Sequence, residues 1–291
     1  MSDALDLAEL RSVAVGVAYR MLGSRTEAED LAQEALERVR VAATTDTLQN
    51  PEAYITTVAT RLSIDHLRLA RVTRETYLGP WLPEPVADDP FHDPARAAEL
   101  ADSLSFALLV VLESLHPVER AAFLLHDVFG YGYAHLATTL DRSEAACRQL
   151  VSRARRHISD GRHLAEADPA AHRQLLDRFL DAARTGDLDQ LVALLADDAV
   201  LVSDGGHNRR AARHPITGRD RIARFLRRVG PKVLTVGPIE TLSLNGGSGF
   251  VVHTPGGDGP HLAGIIDVDG GHIRAIHWVL NPDKLHWLDG A

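Results

Sequence analysis

Between residues 143 and 158 the chain places Ser143, Glu144, Arg148, Gln149, Ser152, Arg153, Arg155 and Arg156 where a helix would turn them outward, while Ala146, Leu150, Ala154 and Ile158 recur on the inner side. Guanidinium and amide side chains near a helix start can read base edges, and arginines farther along can meet phosphates. The preceding stretch 134–140 and the tight turn at Asp141-Arg142 supply a first helix for the second to lock against, and Ser143 is a capping residue. That division of labour is a helix-turn-helix. An ordinary helical hairpin with a solvated basic face shares the pattern.

Three further sets of residues carry possible chemistry. Segment 57–74 offers Arg61, Asp65, His66, Arg68, Arg71 and Arg74, a mix suited to tracking a backbone with a few base contacts, and Tyr54 and Tyr77 flank it as candidates for stacking on unpaired bases. Helix 27–37 presents Asp30, Gln33 and Glu34 on its polar face, either a protein-binding surface or a solvated one. Near the C-terminus Asp204, His253, His261, Asp267, His272, His277 and Trp278 fall near strand positions that could line a cavity, where an Asp–His pair can do general acid/base work. Against that stands the abundance of histidine, 15 in all, and the absence of metal-ligand spacing such as His-Glu-x-x-His. We assign no catalytic residue, no metal and no cofactor.

The elements that must position these groups follow from periodicity. Residues 4–22 form an amphipathic helix ending at Gly23; Ser24-Arg-Thr-Glu27 is a capping box opening a second; Asn50-Pro51 opens a third with Tyr54, Ile55, Val58, Ala59, Leu62 and Leu69 inward. From 77 to 94 the prolines at 80, 83, 85, 90 and 94 exclude a helix, yet Trp81 and Leu82 sit there with no helix to bury them. Helices resume at about 95–115, 117–129, 133–140 and 143–159. Two more fill 170–196, then strands are expected at 198–203, 232–244, 248–254, 260–268 and 272–280, with one helix at 219–229. The fold class is therefore multidomain: two all-α domains, a helical bundle and a helix-turn-helix domain, then an α+β cone with a curved antiparallel sheet. The expected boundaries are 1–72, a Pro-rich linker at 73–94, 95–163 and 168–291.

The net charge of −9 over 291 residues is unpromising for a chain that holds nucleic acid unaided. The charge is unevenly placed, with acids at 27–37 and 88–102 and arginine clusters at 148–156 and 209–228. A partner that supplies phosphate contacts fits that division. No apolar run is long enough for a membrane span, and the start lacks a signal peptide, so a cytoplasmic protein without membrane contact is expected. A single cysteine, Cys147, excludes an intramolecular disulfide.

Several peptides are recognisable. Asp30-Leu-Ala-Gln33-Glu34 resembles the polymerase-binding helix of bacterial sigma factors, and Pro51 to Arg68 resembles the minus-ten-reading segment of the extracytoplasmic-function (ECF) group. Residues 117–158 look like that group's minus-thirty-five-reading domain. Trp81-Leu82-Pro83-Glu-Pro85 and Asn281-Pro282-Asp283-Lys284-Leu285 narrow the likeness to the SigJ-like subfamily, whose extra C-terminal domain is SnoaL-like, an NTF2-type cone. The resemblance implies a sigma factor with core RNA polymerase and promoter DNA as partners, contacts to polymerase through Asp30, Gln33 and Glu34, and regulation in cis through Trp81, Leu82, Pro83, Asp204, Gly205, Gly206 and the 281–285 peptide. It also leaves room for a small-molecule ligand in the C-terminal domain. One departure is visible. The subfamily's Asp-Gly-Gly-Gly-Lys peptide reads here Asp204-Gly205-Gly206-His207-Asn208-Arg209, so the lysine is missing and Arg209 and Arg210 are candidates to supply a cation. A ligand-responsive repressor and a SnoaL-type enzyme with a DNA-binding appendage are the rival readings; a complete helical domain at 1–72 speaks against the first.

Overall fold

The computed structural model describes residues 6–45, 48–75, 77–87, 105–161, 169–256 and 259–288. The expected acidic segment at 88–102 and most of the helix expected from 95 lie outside the described residues. The chain divides into two compact units. The first holds residues up to 75 and 108–162; the second holds 76–88, 105–107 and everything from 163 onward.

In the first unit, α1 (Leu7–Leu22), α2 (Arg25–Thr45) and α3 (Pro51–Glu75) pack through Ala14, Val17, Ala18, Leu31, Ala35, Ile55 and Ala59, all buried. Local chemistry fixes their ends. Asp6 accepts from the amides of Ala8 and Glu9, Ser24 Oγ from Glu27 at 3.2 Å, and Asn50 Oδ1 from Ala53 at 2.9 Å. The inner stripe of α3 departs from expectation: Ile64 and Leu67 are buried while Leu69 is 77% exposed. At about 100° per residue Leu69 stands about 200° from Leu67, on the far side of the helix.

Then come α4 (Phe106–Glu113), α5 (Pro117–Phe123), a π-helical turn at Leu124–Val128, α6 (Tyr133–Leu140) and α7 (Glu144–Gly161). The helix expected over 117–129 thus changes pitch at Leu124. Between α6 and α7 the turn forms as expected, with Asp141 in the left-handed region (φ 52°) and Ser143 Oγ accepting from the Ala146 amide at 3.2 Å. Cys147, Leu150, Val151, Ala154 and Ile158 are buried, so the inner stripe of α7 includes Cys147 and Val151, and Ala146 is only half-buried.

The second unit carries α8 (Pro169–Thr185), α9 (Leu188–Leu194), β1 (Leu195–Asp204), β2 (Ile216–Thr217), α10 (Arg219–Val233), β3 (Ile239–Leu244), β4 (Gly247–His253), β5 (Pro260–Asp269) and β6 (His272–Val279). The sheet order is β2-β1-β6-β5-β4-β3. All neighbours are antiparallel except β1 and β6, which run parallel, so the sheet is mixed. Phe179, Leu226, Phe250, Leu262, Ile266, Ile276 and Trp278 fill one face of it together with α8 and α10. The strand expected from 232 begins only at Ile239, because α10 continues to Val233 and closes with the Leu234 amide on the Gly230 carbonyl at 2.8 Å.

Candidate functional site

On α2, Ala32, Ala35 and Val39 face the core, which leaves Asp30, Gln33 and Glu34 exposed on the opposite side. Glu34 pairs with Arg38, 2.6 Å away on the same helix, and its side chain is exposed.

The basic helix α3 meets α6, the first helix of the helix-turn-helix. The Arg61 guanidinium of α3 donates to the backbone carbonyls of Thr139 at 2.9 Å and Thr138 at 2.7 Å, at the C-terminal end of α6 where carbonyls are unpaired and the helix dipole is negative. Thr57 Oγ1 lies 3.1 Å from Thr139 Oγ1 and 3.5 Å from His135 Nε2, and the Tyr131 hydroxyl donates to Thr56. His135 stacks on Tyr131 at 4.2 Å, and burial lowers its pKa. The structure thus places Arg61 under α6, while Asp65 and Arg68, paired at 3.2 Å, lie open to solvent and His66 sits 3.3 Å from Glu27. Thr57, His135 and Thr139 carried no sequence signal, being polar residues on helices that are far apart in the chain.

Along α7, Ser143, Glu144, Arg148, Gln149, Ser152, Arg153, Arg155 and Arg156 are all exposed. They are not equivalent. Arg155 forks onto the Asp127 carboxylate, with Nε 3.0 and 3.1 Å from its two oxygens, and that carboxylate raises the Arg155 pKa. Arg153 pairs with Glu119 at 2.9 Å, whereas Arg148 lies over the Tyr133 ring and only 3.4 Å from Glu144. Asp127 was invisible in sequence because it lies in the π-helical turn.

In the second unit, residues 77–87 form an extended strap rather than a free linker. Its anchor is Asp204, at the end of β1 and fully buried. The carboxylate accepts from the Tyr77 hydroxyl at 2.6 Å, the Leu82 amide at 2.9 Å, the Gly206 amide at 2.9 Å and the Lys284 ammonium at 2.7 Å. Four donors on two oxygens satisfy a charge that burial would otherwise penalise by several kcal/mol. Lys284 also donates to the Leu82 carbonyl and lies 3.8 Å from the centre of the Trp81 ring. Burial, then the Asp204 carboxylate, pushes the Tyr77 phenol well above its ordinary pKa. Tyr77 is therefore an anchor of the strap, not a base-stacking residue. Farther along, Val86 exchanges two hydrogen bonds with Asn245: its amide donates to the Asn245 side chain at 3.1 Å, and its carbonyl accepts from the Asn245 amide at 2.9 Å. Leu82 and Val86 are buried.

The glycines after Asp204 are required by close approach. A Cβ on Gly206, whose φ is +57°, would stand 2.6 Å from the Asn281 side chain, and one on Gly205 would stand 2.3 Å from the Arg209 carbonyl. Asn281 donates its side-chain amide to Tyr77 at 3.0 Å and its backbone amide to the Asp204 carbonyl at 3.1 Å. The cation expected from Arg209 or Arg210 comes instead from Lys284; both arginines are exposed, and Arg209 lies 3.4 Å from His261. Pro282 and Asp283 form the short 3-10 turn that aims Lys284 inward, and Leu285 is buried behind it. Pro83 is buried with the strap.

The candidate acid/base residues are spread over several pairings. His277 pairs with Asp267 at 2.9 Å beneath the Phe106 ring, His253 with Glu240, and His272 with its own turn, while Trp278 belongs to the apolar core. Burial and the Arg209 charge lower the His261 pKa.

Residues 7–73 match the sigma-70 region 2 family, 105–158 the sigma-70 region 4 family and 176–275 the SnoaL-like domain. Over 287 residues the chain is 38% identical to the ECF RNA polymerase sigma factor SigJ of Mycobacterium tuberculosis, covering 94% of this chain and 90% of that relative. The chain belongs to the ECF RNA polymerase sigma factors. The crystal structure of M. tuberculosis SigJ superposes on this sigma factor with a TM-score of 0.76 at 36% identity, over 95% of this chain and 96% of that one. The probable sigma factor SigI of the same organism is 38% identical over 194 residues, 64% of each chain. These matches do not favour the repressor and enzyme readings. Sigma factors bind core RNA polymerase and promoter DNA. No helix among the described residues is long and apolar enough to cross a membrane.

Proposed function

We propose that this sigma factor engages core polymerase through Asp30, Gln33 and Glu34, reads the minus-ten element with the α3 face around Arg61, Asp65, His66 and Arg68, and reads the upstream element with Arg148, Gln149 and their neighbours on α7. The C-terminal domain regulates it in cis through the strap. The observation that carries the regulatory part is the buried Asp204 carboxylate, which holds Tyr77, Leu82 and Lys284 at once. The strap follows directly on region 2 in sequence, so docking it restricts how far the two DNA-reading regions separate. A groove of about 420 Å³ lined by Leu78 and residues 206–213 is the place we assign to a small ligand of this domain, anionic because Arg209, Arg210 and Arg213 line it.

Run-off transcription with core polymerase tests the regulation. Removing 281–291 withdraws Lys284 from Asp204 and should raise output; removing 168–291 should lower it. Equal output from both truncations and the full chain makes the C-terminal domain a passenger.

A further inference from the structure

The arginine-rich outer face of α10 takes no part in the hydrogen bonds of the strap or in the helix-turn-helix. Residues 207–232 contain one acid, Asp220, in a chain whose net charge is −9. Ile222, Ala223, Leu226 and Gly230 of α10 are buried. At about 100° per residue, Arg221, Arg224, Arg228 and Lys232 fall on the opposite side in a sector about 80° wide, spread over about 16 Å of helix axis. All four are exposed, and among the described residues none is paired with a carboxylate, in contrast to Arg219, which lies 2.7 Å from Asp197.

Such a row is costly by itself. Arg224 to Arg228 and Arg228 to Lys232 are like charges at four-residue spacing, which weakens a helix rather than supporting it. A polyanion lying along the row would offset that cost. We propose that this face of α10 grips the phosphate backbone of duplex DNA, a sequence-independent hold added to the reading helices. Duplex DNA carries one charge per about 1.7 Å of axis, so a cationic row of this length faces several phosphates. A protein partner would need an apolar centre to dock on, and a membrane would need apolar anchors; the row contains neither. Because the domain is tethered to the promoter-reading helices, even weak phosphate contacts act at high effective concentration.

The test uses the full chain and a short labelled duplex of scrambled sequence, with binding followed by anisotropy across a salt series. Arg221→Gln/Arg224→Gln/Arg228→Gln should make the slope of log affinity against log salt shallower by about 2.7, at about 0.9 per lost phosphate contact. Arg173→Gln/Arg178→Gln/Arg184→Gln, on the exposed side of α8, makes the same charge change and should leave the slope unaltered. Glutamine is a good helix former, so thermal unfolding should hold; Arg224→Gln alone, with a change of about 0.9, covers the case in which the triple variant does not fold. Equal slopes for wild type and the α10 variants overturn the proposal, as do equal effects of the α8 control or failure of the wild-type chain to hold the duplex at low salt. Unchanged DNA binding with weaker core-polymerase binding also overturns it and moves the face to an acidic protein surface. Promoter-specific transcription is a separate readout, so none of these outcomes bears on the sigma-factor assignment.

Discussion

Replacing Lys284 with methionine keeps a long side chain over Trp81 but removes the ammonium 2.7 Å from the buried Asp204 carboxylate. Both side chains are nearly inaccessible, Lys284 at 7% and Asp204 at 0%, so water cannot replace the lost charge without opening the strap. Removing one partner of a buried pair costs about 3–5 kcal/mol. At about 1.4 kcal/mol per factor of ten, the closed strap loses roughly a hundredfold to several thousandfold in stability. Hydrogen exchange at the Leu82 amide reads this directly, because that N–H donates to the same Asp204 oxygen. We expect Leu82 to exchange faster by that factor in Lys284→Met, with Val86 following as its pairing to Asn245 frays. Asp204→Asn combined with Lys284→Met removes both charges and should recover much of the loss. Unchanged Leu82 exchange in the single variant, or a double variant worse than the single, would refute the reasoning.

The remaining expectations concern the first unit. A Thr57→Cys/Thr139→Cys pair, at side chains whose hydroxyls are 3.1 Å apart, should abolish transcription when oxidised and regain it under reductant, since Arg61 is occupied while α3 and α6 stay together; the native Cys147 is buried with its pKa raised by burial and should not interfere. His135 has its pKa lowered below 6.5 by burial, so the unfolded chain takes up the proton first. The stability it permits is complete above about 6.5 and is lost as pH falls from there through the folded value; melting temperature should drop over that window, and less steeply in His135→Phe. Alanine at Asp30, Gln33 and Glu34 together should leave thermal unfolding nearly unchanged, as exposed substitutions do, and reduce recovery of core polymerase in a pull-down. Arg148→Ala and Gln149→Ala should each relax upstream-element preference by about 1–3 kcal/mol in promoter-variant transcription. Arg156→Ala should weaken all sequences alike, while Arg155→Ala should act through its lost pairing with Asp127, read as a lower melting temperature.

The helix-turn-helix was legible because its signals are local: period, a capping serine and a turn residue that tolerates positive φ. Strap residues Trp81 and Leu82 announced a missing acceptor by being apolar among prolines, and the family resemblance set them with Asp204 and the 281–285 peptide, but the pairing among these residues was not legible. Asp204 and Lys284 are 80 residues apart, and nothing in either peptide says that a C-terminal lysine, rather than an adjacent arginine, supplies the cation. The contact of Arg61 with Thr138 and Thr139 was hidden for the same reason, since an arginine that caps a distant helix has the spacing of one that meets DNA. The end of α10 was misplaced because Val233, Leu234 and Val236 fit a strand period as well as the last turn of a helix; packing on the core decides between them.

The central claim is that this chain directs polymerase to specific promoters. Its most direct measurement is run-off transcription with core polymerase and the purified chain on genomic fragments that include the region upstream of its own coding sequence. The account predicts a transcript with a defined start that appears only when the chain is added and weakens with Gln149→Ala. No specific transcript under any condition, alongside an active polymerase control, contradicts it.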